Sequence, residues 1–189
     1  MTLVRLLLLL TFTLSSPALA GPDPFRLDEE RSSASFTYTL NGFRQTGTMP
    51  FSAARLTVDL DNVSASTVDV SFDASQTETP FDYATSAIRG ESMLNVAKFP
   101  DVVFRATEIT GTLARARMTG ELTIRGVTRI VTLDGGLFRQ RGTDADNNDD
   151  LTILVTGRLN RHEFGVSGYR AFVGPRLSLK VIARIERIR

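Results

Sequence analysis

Apolar and polar residues alternate with period two in one segment of this chain after another, and this limits the architectures open to it. Phe36, Tyr38 and Leu40 share one face of a segment over 35–40. Val68, Val70 and Phe72 do the same over 67–73, with Thr67, Asp69 and Ser71 on the other face. The longest stripe is Leu177, Leu179, Val181, Ala183 and Ile185 within 175–186. Period two is the mark of a strand with one buried face. Further strands are expected over 49–59, 101–109, 112–124, 128–138 and 151–160. Pro50 favours a bulge or an edge at the start of the second strand. Asn41-Gly42 signals a hairpin turn, with the next strand expected slightly later. Short connections without a strand–helix–strand rhythm make the sheet antiparallel. Eight such strands suit a closed barrel, and a two-sheet sandwich stays open on the pattern alone.

One stretch breaks the alternation. Thr79 is placed to cap a helix, Pro80 suits a first helical position, and Gly90 suits its end. A short helix over 81–89 would bury Phe81, Ala84, Ala87 and Ile88, with another helical turn around 92–95. Phe99-Pro100 then launches the next strand. The acidic run Gly142 to Asp150 reads as a flexible hairpin tip.

The first twenty residues read as a signal peptide. Arg5 supplies a positive start, Leu6 to Leu14 an apolar run too short for a bilayer span, and Ala18-Leu19-Ala20 a small-x-small cleavage pattern. Residues 21–189 are then one domain, large enough for a substantial core. The formal net charge is +1, and Arg5 lies in the leader, so the domain itself is neutral. Neutrality gives no electrostatic case for nucleic acid. The chain contains no cysteine, and a domain of this size does not need disulfides.

Catalytic and metal-binding readings find no constellation. His162 is the single histidine, and a metal site would need carboxylates beside it. Gly165-Val166-Ser167-Gly168-Tyr169 lacks the second glycine of a nucleophile elbow and its strand-to-helix setting. The run from Asp144 to Asp149 opens like a calcium loop, but lacks the glycine at its sixth position and has Val155 in place of the closing glutamate. No catalytic residue, metal or cofactor is expected.

Three segments carry a family resemblance. Leu94-Asn95, Lys98-Phe99-Pro100 and Phe104 follow the phrase F-(N/D)-x-x-(K/R)-(F/Y)-P-x-x-x-F. Gly120, Leu122-Thr123-Ile124 and Gly126-Val127-Thr128-Arg129 follow G-x-L-T-(I/L)-x-G-V-T-(K/R), with Gly126-Val127 read as the bend. Asn160-Arg161-His162-Glu163-Phe164-Gly165 follows N-R-x-(D/E)-F-G. In this order they resemble the YceI-like periplasmic polyisoprenoid-binding proteins. The resemblance implies an all-β, eight-stranded antiparallel lipocalin-like barrel with a short helical excursion between strands 3 and 4. It also implies a periplasmic location and an elongated apolar interior for an isoprenoid chain. The helical excursion would then be a lid over one mouth. The family carries a His and an Arg near the short helix; Arg89 matches the Arg, and Ala87 stands where the His often is. Asn41-Gly42 occupies the place of another common His.

The expected ligand-binding residues are therefore Phe36, Tyr38, Leu40, Val70, Phe72, Tyr83, Arg89, Phe104, Leu122 and Ile124. The ligand implied is an isoprenoid lipid or quinone-like molecule, bound without catalysis, with a transient contact to a membrane surface. Two rivals remain: a structural or stress-response interaction module whose barrel is filled by its own side chains, and a lipid-modifying enzyme.

Overall fold

A computed structural model describes residues 21–140, 142–144 and 146–189; the expected leader, 1–20, lies outside them. Strands β1 (Asp23–Leu40), β2 (Phe43–Thr48), β3 (Phe51–Val58) and β4 (Thr67–Asp73) precede helix α1 (Asp82–Arg89). Strands β5 (Asp101–Thr112), β6 (Arg115–Ile124), β7 (Val127–Arg139), β8 (Asp150–Asn160) and β9 (Arg176–Arg187) follow it. Every pairing is antiparallel, and β1 closes the sheet by pairing with β9. β2 and β3 lie end to end against β1: Leu40 faces Phe43, and Asp23 faces Val58. Met49-Pro50 separates the two halves, as a missing N–H donor requires. Counted so, the barrel has eight strands, and the sandwich is excluded.

The strand edges correct several expectations. β1 begins at Asp23 rather than at 35. Its register shifts between Asp28 and Ser33, so the bulge interrupts the alternation over the charged run 28–31. β2 begins at Phe43, directly after Asn41-Gly42. Both turn residues have positive φ, 50° and 85°, the two-residue hairpin geometry that Asn-Gly favours. The β6–β7 bend is Arg125-Gly126 rather than Gly126-Val127, with φ of 51° and 72°. Helix α1 starts at Asp82; Phe81 is its cap residue, without a side-chain capping bond. The Thr79 hydroxyl instead meets Phe81 O and the Thr85 hydroxyl, at 3.0 and 2.9 Å. Ala84 and Ile88 are buried as expected, whereas Phe81 is exposed and stacks on Tyr83.

Two apolar clusters divide the interior. At the floor, where β1 begins and β9 ends, Phe25, Leu56, Val58, Leu151, Ala183 and Ile185 pack together. At the other end a larger cluster joins strand residues such as Tyr38, Phe104 and Leu122 to Ile88 and Met93 of the lid segment and Phe164 and Val166 of the β8–β9 loop.

Candidate functional site

The barrel is hollow. A cavity of about 460 Å³ runs from Leu27, Leu56 and Ala183 near the floor to Tyr83, Tyr169 and Phe172 at the far end. That size suits a small-molecule site. Its wall is built by register: Val70 pairs with Phe104 and Phe104 with Leu122, so three adjacent strands present one row. Phe36 pairs with Leu179 across β1 and β9. Phe36, Leu40, Val70, Phe72, Leu177 and Leu179 pack on the core yet stay half-buried, because they face the cavity rather than one another. A barrel filled by its own side chains is not what this sequence builds.

Nine of the ten expected site residues line the cavity: Phe36, Tyr38, Leu40, Val70, Phe72, Tyr83, Phe104, Leu122 and Ile124. Arg89 does not. It is half-buried at the end of α1, and its Nε donates to Thr77 O at 2.8 Å, tying the helix to the segment before it. The lid position of 79–99 holds: Tyr83, Ala84, Ala87, Ile88, Met93 and Leu94 all border the cavity.

The roof has a second half that the alternation pattern does not mark, the β8–β9 loop 161–175. Arg161, Phe164, Val166, Tyr169, Phe172 and Val173 border the cavity from it. Backbone bonds tie this loop to the lid and to the end of β1. Gly168 N donates to Ser92 O at 2.9 Å, Asn41 N to Phe172 O at 2.8 Å and Gly174 N to Thr39 O at 2.9 Å. Arg125, on the β6–β7 turn, donates to Gly165 O and, at 3.0 Å, to Glu91 O. Lid and loop therefore form one hydrogen-bonded cap.

Arg161 organises that cap. It is 2% exposed. Its Nε donates to Gly174 O at 3.0 Å, Nη1 to Val166 O and Gly168 O at 2.8 and 2.9 Å, and Nη2 to Val173 O at 2.8 Å. Among the described residues no carboxylate forms an ion pair with it. Burial, and to a lesser extent the charge of Arg170, push its pKa below the ordinary value. Tyr38 is the other buried polar side chain on the wall. It is 4% exposed, and its hydroxyl has no hydrogen-bond partner among the described residues. Burial raises its pKa. The sequence signal for Arg161 was its place in the N-R-x-(D/E)-F-G phrase. Nothing in that phrase told whether the Arg faced solvent or the cavity.

Comparison with known proteins follows the same lines. Residues 25–185 match the family model described as the YceI-like domain. The protein YceI of Salmonella newport is 28% identical over 166 residues, covering 84% of this chain and 86% of that one. Among solved structures, BcnA of Burkholderia cenocepacia superposes with a TM-score of 0.74 at 17% identity, over 84% of this chain and 99% of that one. A polyisoprenoid binding domain from Saccharophagus degradans, implicated in plant cell wall breakdown, gives 0.62 at 9% identity, over 88% and 99%. At these identities the two structures speak for the barrel fold alone.

Proposed function

The chain belongs to the YceI-like domain family, and from that premise we propose that it is a non-catalytic carrier or buffer for an amphiphilic isoprenoid lipid, such as a polyprenyl quinone or its precursor. The observation that carries the reading is the continuous apolar cavity, which reaches Tyr83 and Tyr169 at the cap end and is floored by packed side chains. Shape and apolar area suffice for such a task. Burying about 500 Å² of prenyl tail yields roughly 12 kcal/mol before costs, and association and ordering take back much of it. The polyisoprenoid-binding description of the Saccharophagus domain supports this ligand class.

Among the described residues, five of the eight large exposed hydrophobic ones, Phe43, Phe81, Tyr83, Tyr169 and Phe172, lie on the turns and lid of the cap end. Exposed Arg44 and Arg170 stand beside them in sequence. Amphipathic rings with flanking cations suit a bilayer interface, so this rim is where the carrier would touch a membrane surface to load. The leader-like residues 1–20 support a periplasmic location for the carrier.

The test is mass spectrometry of lipid extracted from protein purified without detergent, together with the variant Phe72→Arg. A retained long-chain isoprenoid, lost in a folded Phe72→Arg protein, is the expected result. Finding no lipid, and an unaltered uptake of prenyl probes by Phe72→Arg, would defeat the reading.

A further inference from the structure

The cavity is not uniform along its axis. Its floor half is walled by Leu27, Leu56, Ile153 and Ala183, whereas Tyr38 and Arg161 both stand at the cap end. An unpaired buried cation is costly unless something compensates it. Hydrogen bonds to four carbonyls hold the guanidinium in place, but a guanidinium has five N–H groups. One Nη2 hydrogen has no acceptor among the described residues. Carbonyl dipoles also do not cancel a full charge beside an apolar space. The Tyr38 hydroxyl adds a second orphaned donor at the same end.

We propose that the capped end of the cavity is a head-group site, in which Arg161 and Tyr38 receive a hydrogen-bond-accepting oxygen of the bound lipid. The proposal rests on the carrier reading and fixes the lipid's direction: polar end under the cap, tail toward Leu27 and Ala183. The shared chemistry is an oxygen acceptor, met equally by a quinone carbonyl and a phosphate. Arg89 is not part of this site, because its Nε is spent on Thr77 O and it does not reach the wall. The positive field of Arg161 and Arg170, which also holds the pKa of His162 down behind the larger effect of desolvation, favours acceptor oxygens over cationic heads.

The experiment compares three ligands with one geranylgeranyl tail: the phosphate, a benzoquinone conjugate and the headless hydrocarbon. Each displaces an apolar fluorescent dye from delipidated protein, and the readout is the affinity ratio of headed to headless ligand. The wild type should favour at least one headed ligand by about tenfold, the scale of one charge-assisted hydrogen bond; the better of the two identifies the head. Tyr38→Phe, which keeps the ring and its packing, should lower the ratio about threefold or more, and Arg161→Gln should bring it near one. Arg161 also supports the cap, so a loss of overall affinity in Arg161→Gln is uninformative; the ratio is not. If Arg161→Gln does not fold, Tyr38→Phe decides alone. A wild-type ratio near one, with all three ligands bound, overturns the head-group site and leaves the carrier standing. A ratio that Tyr38→Phe leaves unmoved overturns the site as drawn. If none of the three displaces the dye, both readings fail.

Discussion

The two ends of the barrel are closed by different physics. The floor is closed by packing: Phe25 and Ile185, 3% and 0% exposed, meet Leu56, Val58 and Leu151. Around its outside, Glu186 pairs with Arg26 and Arg31, and Asp149 with Arg187 and Arg189. The cap packs Ile88, Met93, Phe164 and Val166 onto the strands as well, but its two loop segments also depend on ties through backbone carbonyls to Arg125 and Arg161. Packed side chains resist opening together, because interiors are dense and lose contacts in concert. A few hydrogen bonds between loops open at a lower cost. The floor thus rests on strand packing and outer ion pairs, whereas the cap, where access and recognition are proposed, adds loop ties to its packing.

The largest expected effect belongs to the floor. Phe25→Ala should cost about 3–5 kcal/mol in denaturant unfolding, the range for large-to-small core changes, while leaving the headed-to-headless affinity ratio unchanged. Phe172→Ser, at the 56% exposed rim, should change stability by no more than about 0.5 kcal/mol. It should instead reduce co-sedimentation with anionic lipid vesicles. The contrast collapses if the two substitutions cost the same stability, or if Phe25→Ala shifts ligand preference.

A smaller effect separates the cap's ties from its lining. Arg89→Ala removes the bond to Thr77 O. It should cost about 1 kcal/mol and speed the release of a bound prenyl probe several-fold, without altering head preference. At the floor, Glu186→Gln weakens partly exposed pairs with Arg26 and Arg31. It should cost less than about 1 kcal/mol, and less still in high salt. Release rates that respond equally to both variants would mean the cap is not the gate.

What the sequence made legible follows from which physical signals are local. Alternation fixed the inward faces of β4, β6 and β9, because a buried strand face writes itself with period two. It failed over Asp28–Ser33, where a bulge breaks the register. It failed again over Phe43–Thr48, where Phe43 is exposed and Gly47 is buried. There a Cβ at Gly47 would meet the Phe36 ring and, at 2.9 Å, Glu78 O, a requirement of lid packing that no local pattern encodes. Helix α1 was legible from Ala84, Ile88 and Gly90; its first residue was not, because Thr79 spends its hydroxyl outside a capping role. The cavity wall was readable as a list of inward residues, but whether they fill or line the barrel depends on its diameter. Arg161 was visible only as a motif letter. Its burial arises from carbonyls of residues 166–174, which the fold brings around it.

The smallest prediction uses pH to address the two ends separately. At the cap, desolvation, then the charges of Arg161 and Arg170, lower the pKa of His162 from its ordinary 6.5. Its Nε2 is buried without a partner among the described residues. The unfolded chain therefore binds a proton at His162 more readily than the folded chain. The stability tied to its neutral form is present above 6.5 and declines as pH falls below that value. At the floor, the hydrogen bond from Arg31 lowers the pKa of Asp28, and that from Arg189 lowers the pKa of Asp149, both from 3.8. Their contributions persist through the range where His162 titrates and are lost only as pH drops below 3.8. Urea midpoints followed downward from neutral pH should show an early decline that His162→Gln removes. A later, acidic decline should be removed in part by Asp28→Asn. Hydrogen exchange at Gly168 and Asn41, whose amides tie the cap, should accelerate in the first step and not wait for the second. If cap amides and floor amides lose protection together at one pH, the ends are not energetically separate, and closure by packing and closure by loop ties would be one cooperative unit.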